Sequence, residues 1–170
     1  MDLKEPGNAP YLVGTTRDEL GGSHYHLVTG QSSGAVPRVD LEMAPKLFAA
    51  VHGAIAGGLV RACHDLSEGG LAAAAAEMAF AGGIGADITT LPGGLSDEAG
   101  LFSESTTRFL VEVNPADTAA FEAHLEGLPV ARIGSTVAEP RLRIAGAGGD
   151  WLIWAKLAEL KEAWQKPLRW

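Results

Sequence analysis

Between Cys63 and Glu77 the chain reads Cys-His-Asp-Leu-Ser-Glu-Gly-Gly-Leu, then five alanines, then glutamate. Asp65 is the first residue here with an obvious chemical use. A carboxylate at a strand end beside glycines can hold Mg²⁺, which takes one or two carboxylates and completes its shell with ligand phosphate and water. Its plainer alternatives are a helix cap or a pairing with Arg108. Ser67 adds a hydroxyl, and Gly69 and Gly70 let backbone approach backbone or ligand closely. The N–H groups that open a following helix attract anions. A second chemical cluster is Glu104-Ser105-Thr106, within the run Leu101–Phe109. A third is Gly21-Gly22-Ser23, whose N–H groups and hydroxyl could form a small anion nest. The same three residues equally well make a turn in which Ser23 caps a helix, and no lysine or arginine stands beside them.

Other chemistries find no support. Five histidines and one cysteine are scattered without zinc-ligand spacing. His64 is a lone histidine at a strand end, and Cys63 is expected inside a strand. No Ser-His-Asp order is supported. Gly82-Gly83-x-Gly85 follows a helix instead of opening one, so it is not a dinucleotide fingerprint. A formal net charge of −8 argues against nucleic acid as a partner. One cysteine excludes an internal disulfide framework and fits a reducing compartment. Met1–Pro6 lacks the apolar core of a signal peptide, and no apolar run approaches the ~20 residues that span a bilayer. The expectation is a soluble, intracellular protein.

The elements that must position these residues follow from periodicity and punctuation. Leu59–Cys63 is expected as a short strand and Gly69 to about Ala81 as a helix, since alanine loses no side-chain entropy in one. His64, Asp65, Ser67 and Glu68 then sit at the carboxyl end of a strand, where open α/β sheets bind ligands. Residues 1–10, polar with two prolines, are expected as an extended tail or linker, and residues 11–170 as one domain. Tyr11–Gly14 is a strand. Asp40 starts a helix to about Ile55, with Leu41, Ala44, Leu47, Phe48, Val51 and Ile55 on one face; Pro45 offers a later start. Ile84–Ile88 is a strand and Asp97–Ser103 a helical turn. Arg108–Val113 is the strand richest in β-formers. Asn114-Pro115 opens a helix that stops before Gly127. Pro129–Val137, Arg141–Ala145 and an edge strand at Trp151–Ile153 precede a last helix, Lys156–Trp164. Trp151, Trp154, Trp164 and Trp170 fit either a partner contact or a terminal helix packed on its own domain. The sum is an α/β fold with a mixed β-sheet flanked by helices.

The pattern His64-Asp65-x-Ser67-x-Gly69-Gly70-Leu71 before an alanine-rich helix resembles the C-terminal domain of the AIR synthetase-related proteins. Asp18–Tyr25 upstream and Leu101–Phe109 downstream match the same family in order and spacing, so the resemblance covers nearly the whole chain. It implies an AIR synthetase C-terminal-domain-like fold. Within the family the likeness is greatest to the last domain of the large subunit of a purine-biosynthesis ligase. That enzyme uses ATP, Mg²⁺ and glutamine-derived ammonia to convert formylglycinamide ribonucleotide to formylglycinamidine ribonucleotide. The resemblance further implies a cytoplasmic setting, with the preceding domains of the same subunit, a glutaminase subunit and a small bridging subunit as partners. It places no catalytic residue in this chain and implies a part of a longer enzyme, inactive alone. Asp65, Ser67, Gly69, Gly70, Glu104, Ser105 and Thr106 would form a nucleotide or substrate-like pseudo-site, with Asp65 the Mg²⁺ ligand and Gly21, Gly22 and Ser23 a phosphate loop. Thr106 stands where the family's first pseudo-repeat has the glutamine of a substrate-contacting Glu-Ser-Gln, a departure that weakens direct carry-over of that role. The resemblance implies that the last domain holds the pseudo-equivalent, non-catalytic site. The alternatives are a related synthetase, AIR synthetase or selenophosphate synthetase, and a structural or dimerising module without ligand.

Overall fold

A computed structural model describes residues 1–168. Its strands divide between two four-stranded sheets instead of forming one. The first has the order β2-β4-β1-β5, from β2 (Ala62–Asp65), β4 (Phe109–Val113), β1 (Ala9–Val13) and β5 (Val130–Arg132), all antiparallel. The second has the order β6-β3-β7-β8, from β6 (Gly134–Val137), β3 (Gly85–Ile88), β7 (Arg141–Ala145) and β8 (Trp151–Lys156). There β3 and β7 run parallel and the other pairs antiparallel, so this sheet is mixed. The helices are α1 (His24–Thr29), α2 (Met43–Ala56), α3 (Gly70–Gly82), α4 (Asp97–Phe102), α5 (Thr118–His124) and α6 (Leu157–Gln165).

Alternation along the strands sorts side chains into two cores. Tyr11, Val13, Val111 and Val113 face α2 and α5, meeting Leu47, Val51, Phe121 and Leu125. Leu12 and Leu110 point the other way, into a core shared with Leu142 and Ile144 of the second sheet and with α3. The alanine run of α3 follows from that position. Leu71, Ala72, Ala74, Ala75, Met78 and Ala79 are all buried, so this helix is covered nearly all round. Short side chains let it approach both sheets and α6.

The expected Asn114 cap is in place, accepting from Ala116 N at 2.9 Å. Asp40 stands just ahead of α2, where its carboxylate accepts from the N–H groups of Glu42 and Met43 in the turn that leads into the helix; the helix itself begins at Met43 with Glu42 at its N-cap position. Three boundaries are corrected. The expected strand 59–63 begins three residues later and ends two later, because Ala62 pairs with Glu112 and Asp65 with Phe109; His64 and Asp65 are therefore in the strand. The run 129–137 breaks at Ile133-Gly134 into strands of different sheets. Gly134 is required at the break, since a Cβ there would stand 2.0 Å from the Asp87 carbonyl oxygen. The first ten residues are a packed strap, not a free tail. Leu3 is buried, its N–H bonds Met78 O, and Ala9 already belongs to β1. Their anchor is Glu112, whose fully buried carboxylate accepts from Lys4 N, Glu5 N and Asn8 Nδ2.

Of the tryptophans, Trp164 packs on Phe80 of α3 and donates to Glu77, which agrees with a terminal helix docked on its own domain. A bulge at Ile144/Ala145 brings Trp151 and Trp154 to one face of the second sheet, around the Arg143 guanidinium. Trp170 lies outside the described residues. Arg143, and beyond it Arg141, hydrogen-bond the Asp87 carboxylate and hold its carboxyl down at about 2 from the ordinary 3.8. A depressed folded value contributes stability that is complete above the unfolded value and lost as pH falls through the folded one. The gap in urea midpoint between the parent and Asp87→Asn is therefore expected to be constant above pH 5 and to close between about pH 4 and pH 2.

Candidate functional site

Asp65 ends β2 and Phe109 begins β4, directly opposite it. The loops that leave these two positions form the walls of an open cleft of about 390 Å³. It is lined by Asp65, Leu66, Ser67 and Glu68 from one loop, Glu104 and Thr106–Phe109 from the other, and Pro37 and Phe48. Two of the three motif stretches thus meet in one place, as pairing of β2 with β4 requires. Phe48 is half-exposed and meets Phe109 edge-on at 5.9 Å, giving the cleft an apolar wall.

The polar wall is acidic. Asp65 is largely exposed; its Oδ2 accepts from Ser67 Oγ at 2.5 Å and its Oδ1 lies 3.4 Å from His64 Nδ1. The Ser67 hydroxyl, with His64 beside it, holds the carboxyl below its ordinary value, so Asp65 is an anion at neutral pH. Glu68 and Glu104 add two more carboxylates. The only cation among the lining residues is Arg108, and it is 1% exposed. Its guanidinium donates to Ser103 O, Ser105 O and Thr16 Oγ1, so it braces the loop from behind. Bare phosphate would meet repulsion here. No group of three or more His, Cys, Asp or Glu among the described residues could hold a resident metal. An Mg²⁺ that arrives on a phosphate chain needs one or two carboxylates, which Asp65, exposed in the cleft lining, would supply together with Glu68 and Glu104. Thr107, at the cleft, has φ 59°, a costly conformation for a β-branched residue.

The remaining expected residues support the cleft instead of lining it. Ser105 is fully buried and accepts from Arg17 N. Gly70 packs where a Cβ would stand 2.5 Å from Ser103 O. Gly69, at φ 77°, sends its N–H to Glu104 Oε1 at 2.9 Å. That same oxygen accepts from His24 N, also at 2.9 Å. Ser23 caps α1, accepting from His26 N. Gly21 allows close passage of the backbone at Gly34-Ala35, and Gly22 faces open space. These partners account for Gly21 and Ser23 without a ligand.

His64 does not face the cleft as a free base; its Nε2 lies 2.8 Å from Glu77 of α3. Cys63 is partly buried, and burial pushes its thiol up to about 11, well away from reactive thiolate. Sequence reasoning missed Pro37, Phe48, Leu66, Thr107 and Phe109 as lining residues. Only Phe48 carried a signal, an aromatic on a helix whose face is otherwise small or aliphatic.

The AIR synthase related protein, C-terminal domain family matches residues 5–146. Phosphoribosylformylglycinamidine synthase subunit PurL of Deinococcus radiodurans is 37% identical over 99% of this chain and 24% of its own length. Among solved structures, Thermotoga maritima PurL complexed with FGAR superposes with TM-score 0.79 at 21% identity, covering 94% of this chain and 28% of that one. The same protein complexed with ATP gives 0.75 at 21% identity, covering 94% and 26%. The chain thus spans about a quarter of the length of these relatives.

Proposed function

The chain belongs to the AIR synthase related protein family, C-terminal domain, and from that membership we propose that it serves as the C-terminal domain of a phosphoribosylformylglycinamidine synthase. The full enzyme is an ATP-dependent ligase of purine biosynthesis that makes formylglycinamidine ribonucleotide from formylglycinamide ribonucleotide and glutamine-derived ammonia. The named relatives are PurL subunits, which favours this reading over AIR synthetase, selenophosphate synthetase or a ligand-free module. The observation that carries a ligand role is the convergence of Asp65 and Ser67 with Glu104 and Thr106 in one cleft.

In this reading the cleft takes a nucleotide as its Mg²⁺ complex. Asp65 would hold the ion together with ligand phosphate, Ser67 fixes the Asp65 rotamer through its hydrogen bond, and Phe48 with Pro37 offers the base or sugar an apolar wall. The magnesium supplies the positive charge that an acidic cleft needs to accept phosphate. In this reading the cleft is a pseudo-site that binds, as the family resemblance implies, and the catalytic machinery lies in companion domains.

The surface supports such companions. Leu27, Val28, Val36, Val39, Leu41, Phe48 and Ile55 are 48–85% exposed within one stretch of sequence. Exposed apolar side chains in this number are available for a protein contact, and Phe48, which lines the cleft, is one of them. The preceding domains of the same subunit are the occupants this reading requires, with a glutaminase and a small bridging subunit completing a cytoplasmic complex. No helix among the described residues is long and apolar enough to cross a membrane.

Incubating the chain with formylglycinamide ribonucleotide, Mg-ATP and ammonium chloride tests the division of labour. No phosphate release above the blank is expected from the chain alone. Turnover sensitive to changes in this chain would overturn the assignment of catalysis to other domains.

A further inference from the structure

We propose that Glu104 is a positioning residue, a latch that sets the cleft without touching the ligand. Its Oε1 accepts two backbone N–H groups, Gly69 N and His24 N, each at 2.9 Å, and His24 Nδ1 lies 3.5 Å away. These donors are 45 residues apart in sequence. One oxygen therefore ties the Gly21–His24 loop, the Ser67–Gly70 turn and the Ser103–Thr107 loop together, joining all three motif stretches. Gly69 and Gly70 both have positive φ, at 77° and 60°, so this turn is held by its hydrogen bonds and by backbone packing. The N-terminus of α3 has no side-chain cap of its own. Glu104 satisfies its first exposed N–H, and a carboxylate is favoured at that end of the helix dipole. Ser67 and Glu68, the cleft residues of this turn, directly precede the anchored amide.

The cleft reading gives Glu104 another role, contact with the ligand or its metal through charge. The two roles separate because glutamine keeps a carbonyl oxygen able to accept both N–H groups and loses the charge. The inference rests on the nucleotide reading only for its second arm, and the first arm needs no ligand.

Amide exchange is measured on the parent chain, Glu104→Gln and Glu104→Ala. In the alanine variant, protection at Gly69 and His24 is expected to fall together by about tenfold or more, the effect of losing charge-assisted bonds, while amides of β4 keep theirs. The glutamine variant should retain most of the protection at both. Mg-ADP titration then forms the second arm: alanine should weaken binding and glutamine restore it to within about threefold of the parent. Unchanged protection in Glu104→Ala, or loss at only one of the two amides, would overturn the latch. So would equal loss of nucleotide affinity in both variants, since that is the signature of direct charge contact. Absence of nucleotide binding in the parent would overturn the nucleotide reading and leave the latch to be decided by exchange alone.

Discussion

Replacing Glu112 by leucine is expected to lower the unfolding free energy by about 3–5 kcal/mol. The side chain is completely buried, and its carboxylate serves three donors, Lys4 N, Glu5 N and Asn8 Nδ2. Leucine recovers the cost of burying a charge but cannot serve the donors, each of which costs about 1–3 kcal/mol when left unmet. Asn8 is 2% exposed and has no route to water, whereas Lys4 and Glu5 can turn outward once freed. The least costly response is detachment of the strap, which also uncovers Leu3. The expected readouts are a fall in melting temperature of about 6–20 °C, taking 2–4 °C per kcal/mol for a chain of this size, and proteolysis within residues 1–8 before global unfolding. An unchanged melting temperature would show that the strap is not part of the cooperative unit.

Arg108→Met is expected to cost about 3 kcal/mol. Two opposing effects set this value. Burial with no carboxylate in direct contact is costly for a guanidinium, and it pushes the group down to about 10, with Glu19 and Glu104 opposing from a distance. Removing the charge recovers that cost, and a buried ion replaced by an apolar side chain can be neutral. Here Ser103 O and Ser105 O would lose their donor in a buried loop, and that loss exceeds the gain. Arg108→Lys keeps the charge, but its single ammonium cannot span three acceptors, so it should recover less than half of the loss. Equilibrium denaturation in urea measures both variants. The loop that Arg108 braces carries Glu104, so the methionine variant should also loosen the amides of Gly69 and His24.

Local chemistry was the legible part of this fold. The alanine helix, Asn114-Pro115 and Asp40 each announce an element through propensity or a cap, and each stands within a few residues of its expected place. The strand ends were less legible because their limits are set by partners. β2 begins where Glu112 can pair with Ala62. The run from Pro129 to Val137 is continuous in β-formers, and only the partners show where it divides: Val130 pairs with Val13 in the first sheet and Gly134 with Ile88 in the second. The strap was misread because its polar composition hides a bond partner more than a hundred residues away. One clue was present: in Phe-Leu-Val-Glu-Val, Glu112 shares a face with Leu110, and a carboxylate on an apolar face needs donors from elsewhere.

The site divided in the same way. The motif stretches located the cleft because their chemistry-bearing residues sit at adjacent strand ends. Their division of labour could not be read from spacing. Ser105 and Gly70 look like ligand residues in sequence, yet one is buried against Arg17 and the other is packed on Ser103. Whether a glycine serves a ligand or a neighbouring carbonyl depends on contacts made across the fold.

The most direct measurement is calorimetric titration of the chain with ADP and ATP, with and without Mg²⁺, repeated on Asp65→Asn. Saturable binding is expected only with Mg²⁺, weakened by about tenfold or more by the substitution, because the cleft has no exposed cation of its own. Binding that ignores Mg²⁺ or Asp65, or no heat at millimolar nucleotide, would contradict a nucleotide site in this cleft.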